Sequence, residues 1–523
     1  MIALCLCLTA CIAQSYTELK PNIIVIYTDD QGYGDVGALN PLAKFNTPNI
    51  DRIANEGIKF TDGHSSDAVC TPSRYSLLTG RYSWRTSLKK GVLGADGTCL
   101  IEKDRMTIAS LLKENGYNTA IVGKWHLQMQ FVGRKGTGRN WSAPFTQGPT
   151  EYGFDYFFGI PASMNYGILT YLENDKVLDP PTMWTKKKSV LDPRSFRNAV
   201  KPGDYRMTPP YKDSPEKGRW WVEVAPSFKD EQVLETFASK AVDYIDKMAG
   251  DDKPFFLYLP LTSPHLPHCT HPDFKGRSNC GNYGDFMEET DYRVGQVLDA
   301  LEANDIVGQT LVIFSSDNGA ETNYLYHQEV YDHASNLHFK GGKRDIYEGG
   351  HHVPYLMRWP EVITPGALSD LPVCQTDYLA TIAAIIGVNL QDSEGEDSYN
   401  LLPVLKGEKY NDLLRGPIIH HSSSGHFAIR QGKWKLNMLR GSGGSLKPVF
   451  LDFSNEAAPY ELYNLNEDPG ETRNRYFEYP EIVDRLKQKL TNIINTGRST
   501  PGEPQNFVRE GWEQLTWINY PEK

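Results

Sequence analysis

Four short apolar runs constrain the fold of this chain more than any other feature of its sequence. They occupy residues 22–28, 118–122, 253–260 and 310–316. Each is rich in β-branched or aromatic residues and is bounded by polar ones, a pattern typical of parallel strands that are buried on both faces. Segments with the apolar spacing of helices separate them, most clearly at 233–248. The sequence therefore predicts an α/β fold with a mostly parallel sheet.

Two of these runs end in a pair of oxygen-bearing side chains followed by glycine. Asp29 and Asp30 follow the first run, and Asp317 and Asn318 follow the last. Carboxylate and amide oxygens are the ligands of hard cations, and ligands of α/β sheets bind at the carboxyl ends of the strands. Either pair alone is compatible with a solvated turn, but the occurrence of both predicts a cation site.

The stretch 70–80 indicates a loop that enters a short helix. Pro72 suits the first helical turn and Gly80 suits a helix stop. Cys70 then lies at the positive end of the helix, with Arg74 one turn along the same face, where both could face a bound anion. A buried structural cysteine before an ordinary helix remains the alternative on spacing alone.

Basic residues and histidines follow two further strand ends. Lys124 and His126 are two residues apart in an extended segment, so their side chains point to one side and could address the same anion. His265 and His268 follow the run at 253–260 and are braced by prolines, which suits proton transfer. An exposed strand end and ordinary loop histidines are the corresponding alternatives.

The motifs that contain these residues resemble those of one family. Cys-Thr-Pro-Ser-Arg followed by Leu-Thr-Gly-Arg, from Cys70 to Arg81, resembles the signature of the formylglycine-dependent type I sulfatases of the alkaline phosphatase superfamily. Gly-Lys-Trp-His-Leu, Pro-His-Leu-Pro and the segment around Lys343 resemble further motifs of that family, in the same order. Gln128 departs from the pattern, since glycine commonly stands there.

The resemblance implies a fold and a division of the chain. It implies a large alkaline-phosphatase-like α/β/α domain at residues 15–405. After about residue 405 the pattern changes to short strands with a Gln-Gly turn and a final helix. We therefore expect a smaller C-terminal α+β subdomain with an antiparallel sheet at residues 406–523.

The resemblance also implies a mechanism and cofactors. A maturation enzyme would convert Cys70 to formylglycine, whose hydrate is the nucleophile. One Ca²⁺ ion would bind to residue 70 and to Asp29, Asp30, Asp317 and Asn318. The cations that stabilise the sulfuryl oxygens would be Arg74, Lys124 and Lys343. His265, preferred over His268 because of the Pro-His-x-Pro pattern, would protonate the leaving alcohol, and His126 would assist when the aldehyde is regenerated.

The substrate implied is a sulfated carbohydrate. The sequences of these motifs resemble those of glycan sulfatases of the galactosamine-6-sulfatase type. This resemblance favours exo-acting hydrolysis of 6-O-sulfated galactose or N-acetylgalactosamine. Aromatic loops between about 130 and 230 agree with a polysaccharide-fragment substrate. A phosphatase or phosphodiesterase of the same superfamily and an inactive sulfated-glycan-binding protein are the alternatives.

Composition and the first residues bear on partners and location. A net charge of −11 without a basic stretch argues against general nucleic-acid binding. Residues 1–14 predict a signal peptide or a lipoprotein signal, in which Leu-Thr-Ala-Cys would attach a lipid at Cys11. We therefore expect export, to the periplasm, to the cell surface as a lipoprotein, or into the medium, with no transmembrane span in the mature chain.

The remaining cysteines and the C-terminal histidines allow further predictions. An exported protein could join Cys269 to Cys280 in a local disulfide, and two thiols are the alternative. We expect Cys99 and Cys374 to be buried thiols, and a bond between them is the alternative. The histidines at 420, 421 and 426 could face the pocket, but we expect structural or surface roles for them.

Overall fold

The computed structural model describes residues 20–134, 138–186, 221–408, 415–451 and 457–518. The predicted signal at 1–14 and the lipid site at Cys11 lie outside the described residues. Ten strands form the central sheet: β1 Asn22–Asp29, β2 Ile58–Phe60, β3 Asn118–Lys124, β4 Tyr156–Ile160, β5 Leu172–Glu173, β6 Lys176–Val177, β7 Phe255–Pro264, β8 Thr310–Ser316, β9 Tyr355–Arg358 and β10 Ala367–Ser369.

The centre of this sheet is parallel. The strand order is β6-β5-β4-β3-β7-β1-β8-β9-β2-β10. The five strands from β4 to β8 in that order are parallel to one another, and antiparallel pairs begin at β5 and β9. Every residue of β1 is buried, as its continuous apolar run predicts. The predicted α/β fold with a mostly parallel sheet is confirmed.

Ten helices are described. They are α1 Pro48–Asn55, α2 Cys70–Thr79, α3 Ile108–Glu114, α4 Val233–Met248, α5 Gly281–Ala303, α6 Tyr324–Tyr331, α7 Glu348–His351, α8 Asp377–Ile385, α9 Leu402–Leu405 and α10 Pro480–Thr496. The helical pattern at 233–248 is confirmed by α4. The turn after α2 uses Gly80 in the left-handed conformation, as its helix-stop position predicts.

The helices cover both faces of the sheet because consecutive residues of β1 point to opposite sides. Ile24 and Ile26 belong to a core shared with α1, α4 and α5. Ile23 and Val25 belong to a second core shared with α2, α3 and α8. The two cores make the α/β/α arrangement that the resemblance implied.

The stretch between 130 and 230 differs in part from its predicted loop character. β4 lies inside it and pairs in parallel with β3 in the central sheet. Phe157 and Phe158 of this strand are buried on opposite faces, in the two cores. The strand is only five residues long and is surrounded by Gly- and Pro-rich sequence, so its sheet contacts rather than its local pattern determine its conformation.

A four-stranded antiparallel sheet forms the C-terminal part. Its strands, in both chain and spatial order, are β11 Ile418–His421, β12 Phe427–Gln431, β13 Trp434–Asn437 and β14 Glu461–Asn464. α10 packs on it through Leu486 and Leu490. The predicted antiparallel sheet and final helix are confirmed, while the boundary at 405–406 stays a prediction.

A buried ionic network joins this sheet to the larger one. Lys435 is fully buried on β13, and its Nζ lies 3.0 Å from both Glu348 Oε1 and Glu471 Oε1. Arg430 on β12 makes a bidentate ion pair with Asp62, which follows β2. The two parts of the chain are therefore connected through charges that are removed from water.

We expect Lys435→Met to destabilise the protein strongly. The change leaves Glu348 and Glu471 buried without this cation, and breaking a buried pair from one side costs about 3–5 kcal/mol. Urea and thermal unfolding, followed by circular dichroism, measure the loss. Lys44→Met is the control, because the Lys44–Asp332 pair is exposed and should contribute at most about 1 kcal/mol. Equal losses in both variants would contradict the role of the network.

The described cysteines are all buried thiols, at positions 70, 99, 269, 280 and 374. The local disulfide considered for Cys269 and Cys280 is therefore not present, and the two-thiol alternative holds. None of the helices in the described ranges combines the length and the apolar character that crossing a bilayer requires.

Two of the C-terminal histidines have buried positions. His420 is buried with its ring stacked on His351 at a centroid distance of 3.6 Å. His421 is buried beside Phe427. His426 is half-buried and contacts the ring of Phe450. These contacts agree with the structural roles expected for His420 and His421.

Candidate active site

The carboxyl ends of β1 and β8 bring four oxygen-bearing side chains together. The strands are adjacent and parallel, with Thr28 opposite Ser316, so the residues after them meet at one edge of the sheet. The Asp30 amide donates to Asp317 Oδ1 at 3.1 Å, and Asn318 Nδ2 donates to Asp30 Oδ1 at 2.8 Å. Asp29 is also fully buried beside them.

Three buried cations hold these carboxylates. Lys124 Nζ, at the end of β3, lies 2.6 Å from Asp29 Oδ2. Lys343 Nζ lies 2.6 Å from Asp30 Oδ1. Arg74 Nη2 lies 2.6 Å from Asp317 Oδ2. The structure thus brings the predicted cations and predicted metal ligands into one cluster in which each aspartate has its own cation.

Cys70 is the first residue of α2 and faces this cluster. Its Sγ and oxygens of Asp29 and Asp317 lie within 4.8 Å of one another. Burial raises the pKa of the Cys70 thiol to about 11, although Lys124 and Lys343 act to lower it. The helix end therefore does not make Cys70 a thiolate nucleophile at neutral pH.

Two histidines complete the predicted set. His265 Nδ1 donates to the Leu266 carbonyl at 2.5 Å, which directs Nε2 toward the cluster, 3.7 Å from Asp30 Oδ2. His126 adopts a left-handed backbone conformation, with φ of 59°, and its Nε2 donates to the Leu93 carbonyl at 2.9 Å. His126 Nδ1 is buried, and no other described residue forms a hydrogen bond with it.

Burial and the neighbouring lysines keep both imidazoles neutral in this structure. Burial lowers the pKa of His265 well below its usual value, and Lys343 and Lys124 lower it further. Burial also lowers the pKa of His126, with Lys124 and Arg74 as further causes. His268, the alternative to His265, instead packs against the rings of Tyr283 and Phe286.

The oxygen set fits a Ca²⁺ ion. Asp29 Oδ1 and Asn318 Oδ1 are buried and have no hydrogen-bond partner among the residues that the structure describes, so both retain lone pairs that a cation can use. Burial, together with the charges of Asp317 and Asp30, raises the pKa of Asp29 to about 8, although Lys124 acts to lower it. A dication would offset that accumulation of buried negative charge, and carboxylate and amide oxygens are the donors that Ca²⁺ prefers.

Glu321 and Tyr166 lie near the site and did not emerge from the sequence, whereas Arg344 directly follows Lys343 in the motif segment. Glu321 Oε2 lies 3.6 Å from Lys343 Nζ, and Arg344 forms a bidentate ion pair with the same carboxylate. The ring of Tyr166 lies 5.1 Å from that of His126. Glu321 could have been found from the sequence, because it is an acidic residue soon after the Asp-Asn-Gly turn. Tyr166 lies in a region without hydrophobic periodicity, so no pattern in the sequence points to it.

Family models match the chain in two overlapping parts. The model described as Sulfatase matches residues 21–388. The model described as N-sulphoglucosamine sulphohydrolase, C-terminal, matches residues 338–496. The first match covers more than half of the chain and includes every candidate site residue named above.

Curated proteins and solved structures match over nearly the whole length. An N-acetylgalactosamine-6-O-sulfatase of Bacteroides thetaiotaomicron is 32% identical over 489 residues, which cover 91% of this chain and 93% of that protein. Human arylsulfatase A is 32% identical, with 90% of this chain and 86% of that protein covered. A structure from work on glycosaminoglycan metabolism by B. thetaiotaomicron has a TM-score of 0.75 at 29% identity and covers 91% of this chain and 99% of its own.

Proposed function

Because the chain belongs to the sulfatase family and is a sulfuric ester hydrolase that acts on carbohydrate sulfates, we propose that it removes the 6-O-sulfate from galactose or N-acetylgalactosamine. We propose exo action on fragments of sulfated polysaccharides. The observation that supports this substrate is the 32% identity to the N-acetylgalactosamine-6-O-sulfatase over 91% of the chain.

The site residues suggest how the sulfate is bound. Arg74, Lys124 and Lys343 converge on the same carboxylates that adjoin Cys70, and all three are buried. Their N–H groups would bind the sulfuryl oxygens and stabilise the negative charge of the transition state, which preorganised buried cations do effectively. Their aspartate partners hold them in place before the substrate arrives.

The modified residue and the metal would supply chemistry that the unmodified chain lacks. Formylglycine at position 70 would supply a hydroxyl nucleophile, and Ca²⁺ held by Asp29, Asp30, Asp317 and Asn318 would polarise the sulfate. The need for formylglycine agrees with the raised pKa of the Cys70 thiol, which leaves the thiol itself protonated.

His265 and His126 would move protons. His265 presents Nε2 to the site while Nδ1 is fixed on the Leu266 carbonyl, so Nε2 is the atom that would hold the proton for the leaving alcohol. A bound sulfate ester is anionic and would favour the protonated imidazole. His126 Nδ1 has no hydrogen-bond partner within the described part of the chain, and it would accept a proton when the enzyme-bound sulfate is released.

The location and processing of the chain are part of the proposal. We propose export through the signal at 1–14, with maturation of Cys70 by a formylglycine-generating enzyme and either cleavage of the signal or a lipid at Cys11. We also propose the division into a catalytic domain at 15–405 and a subdomain at 406–523. The antiparallel sheet beginning at Ile418 supports that division.

A panel of defined saccharides tests the substrate. The protein, produced together with a formylglycine-generating enzyme, is expected to release sulfate from the 6-O-sulfates of galactose and N-acetylgalactosamine. The corresponding 2-O- and 4-O-sulfates should react much more slowly, and a sugar 6-phosphate is the control for the phosphatase alternative. Anion chromatography measures each product. Release only from 2-O- or 4-O-sulfates, or only from the phosphate, would contradict the proposal.

A further inference from the structure

Arg344 is the cation of the site that solvent reaches. Its side chain is 33% exposed, whereas Arg74, Lys124 and Lys343 are between 0 and 4% exposed. It shares the carboxylate of Glu321 with Lys343, the lysine that is proposed to bind the sulfate. A substrate that extends from the buried sulfate toward solvent must pass near a group in this position.

The main chain of Arg344 is fixed relative to Cys70. The Arg344 amide donates to the carbonyl of Ala68, two residues before Cys70, at 2.7 Å. The Ser423 amide, from the turn between β11 and β12, donates to the Arg344 carbonyl at 3.0 Å. These bonds hold Arg344 at φ of 83°, a left-handed conformation that non-glycine residues rarely adopt.

The side chain of Arg344 is held by one carboxylate. Its Nη1 and Nη2 donate to the two oxygens of Glu321, and Nη2 does so at 2.8 Å. Arg344 and Lys343 both keep the pKa of the buried Glu321 well below its usual value, so the carboxylate is ionised. Among the described residues the guanidinium makes no other hydrogen bond, which leaves its remaining N–H groups for a ligand.

Tyr166 is a further polar group beside the predicted site residues. Its ring lies 5.1 Å from that of His126. Burial raises the pKa of its hydroxyl to about 12, so the hydroxyl is protonated at neutral pH.

On this basis we propose that Arg344 donates hydrogen bonds to sugar hydroxyls next to the scissile sulfate and so determines the preference for saccharides over small aryl sulfates. The charge of the guanidinium is already matched by Glu321, so the pair suits neutral hydroxyl groups better than a second anion. A site built to hydrogen-bond a substrate hydroxyl discriminates against compounds that lack it. This inference rests on the proposed function and specifies its sugar recognition.

Arg344→Gln and Arg344→Lys test the proposal. Activity is measured on N-acetylgalactosamine 6-sulfate, on a uronic-acid-linked disaccharide of it, and on 4-methylumbelliferyl sulfate, which has no sugar. We expect kcat/KM on both saccharides to fall about 10- to 100-fold more than on the aryl ester, mainly through KM, because the hydroxyl contacts are made in the ground state as well. Arg344→Lys should not restore the preference for saccharides over the aryl ester, since lysine lacks the planar guanidinium that donates several hydrogen bonds.

Arg473→Gln is the matched control. Arg473 also pairs with a glutamate, Glu478, but its side chain is 63% exposed and lies in the C-terminal part. Replacing it should therefore not change the ratio of the activity on saccharides to the activity on the aryl ester. Equal loss on saccharide and aryl ester would show that Arg344 acts through Glu321 on Lys343 and would overturn the proposal. A loss of activity confined to the uronic-acid disaccharide would show that Arg344 binds the carboxylate of the uronic acid rather than sugar hydroxyls. That result would also overturn the proposal. Wild-type protein that hydrolyses the aryl ester but no 6-O-sulfated sugar would refute the proposed function, and this inference with it.

Discussion

Cys70→Ala is expected to lower sulfate release by a factor of about 10⁴ or more, because it removes the only precursor of the proposed nucleophile. The cations around residue 70 would remain, since Arg74 and Lys124 are held by Asp317 and Asp29 rather than by the thiol. The variant should therefore still fold and bind substrate. Steady-state kinetics and thermal unfolding, compared with the wild-type protein, measure the two effects separately.

A second buried cysteine provides the control for this change. Cys374 is fully buried and lies in the short strand Val373–Cys374, which pairs with Gly63–His64. Cys374→Ala should keep most of the activity.

Mass spectrometry of the wild-type peptide that contains Cys70 should show conversion of the thiol to an aldehyde. A fully active Cys70→Ala protein, or an active wild-type protein whose Cys70 is entirely thiol, would contradict the proposed nucleophile.

Asp317→Asn is expected to remove most of the stabilisation by Ca²⁺ and to lower the activity by more than about 100-fold. Asp317 uses Oδ2 to bind Arg74 and Oδ1 to accept from the Asp30 amide, so the change weakens both the ion site and the hold on Arg74. In the wild-type protein, Ca²⁺ at about 100 times its Kd should add roughly 2.7 kcal/mol to the free energy of unfolding. Thermal unfolding with Ca²⁺ and with a chelator measures this difference.

Asp377→Asn separates the loss of a metal ligand from the loss of a buried ion pair. Asp377 is fully buried and pairs with Arg415 at 2.8 Å, as Asp317 pairs with Arg74, but it lies outside the site. This variant should lose stability and still respond to Ca²⁺. If Ca²⁺ stabilises Asp317→Asn as much as it stabilises the wild-type protein, the assignment of Asp317 as a ligand is wrong.

The sequence was most informative where strand direction alone fixes the geometry. Asp29 and Asp317 are far apart in the chain, yet their meeting was predictable because adjacent parallel strands end at the same edge of a sheet. The same reasoning placed Lys124 at that edge. The predicted strands and helices agree with the structure because continuous apolar runs and helical periodicity are strong local signals.

Features that depend on contacts between distant segments could not be predicted in this way. The left-handed conformation of Arg344 is held by Ala68 and Ser423, and neither residue carries a signal for it. The ion pairs of Lys435 join segments that are separate in sequence and offer no periodicity. β4 has too few residues to stand out from its surroundings. In each case tertiary contacts outweigh local preference.

The burial of Cys70 has a consequence for the order of events during biosynthesis. Only 1% of this residue is accessible in the folded protein, so an enzyme that modifies its side chain cannot reach it there. The segment just before it is held by a late part of the chain, because the Ala68 amide donates to the carbonyl of His421, which is synthesised some 350 residues later. The proposed modification would therefore compete with folding, and the yield of active protein should depend on how long the nascent chain stays unfolded.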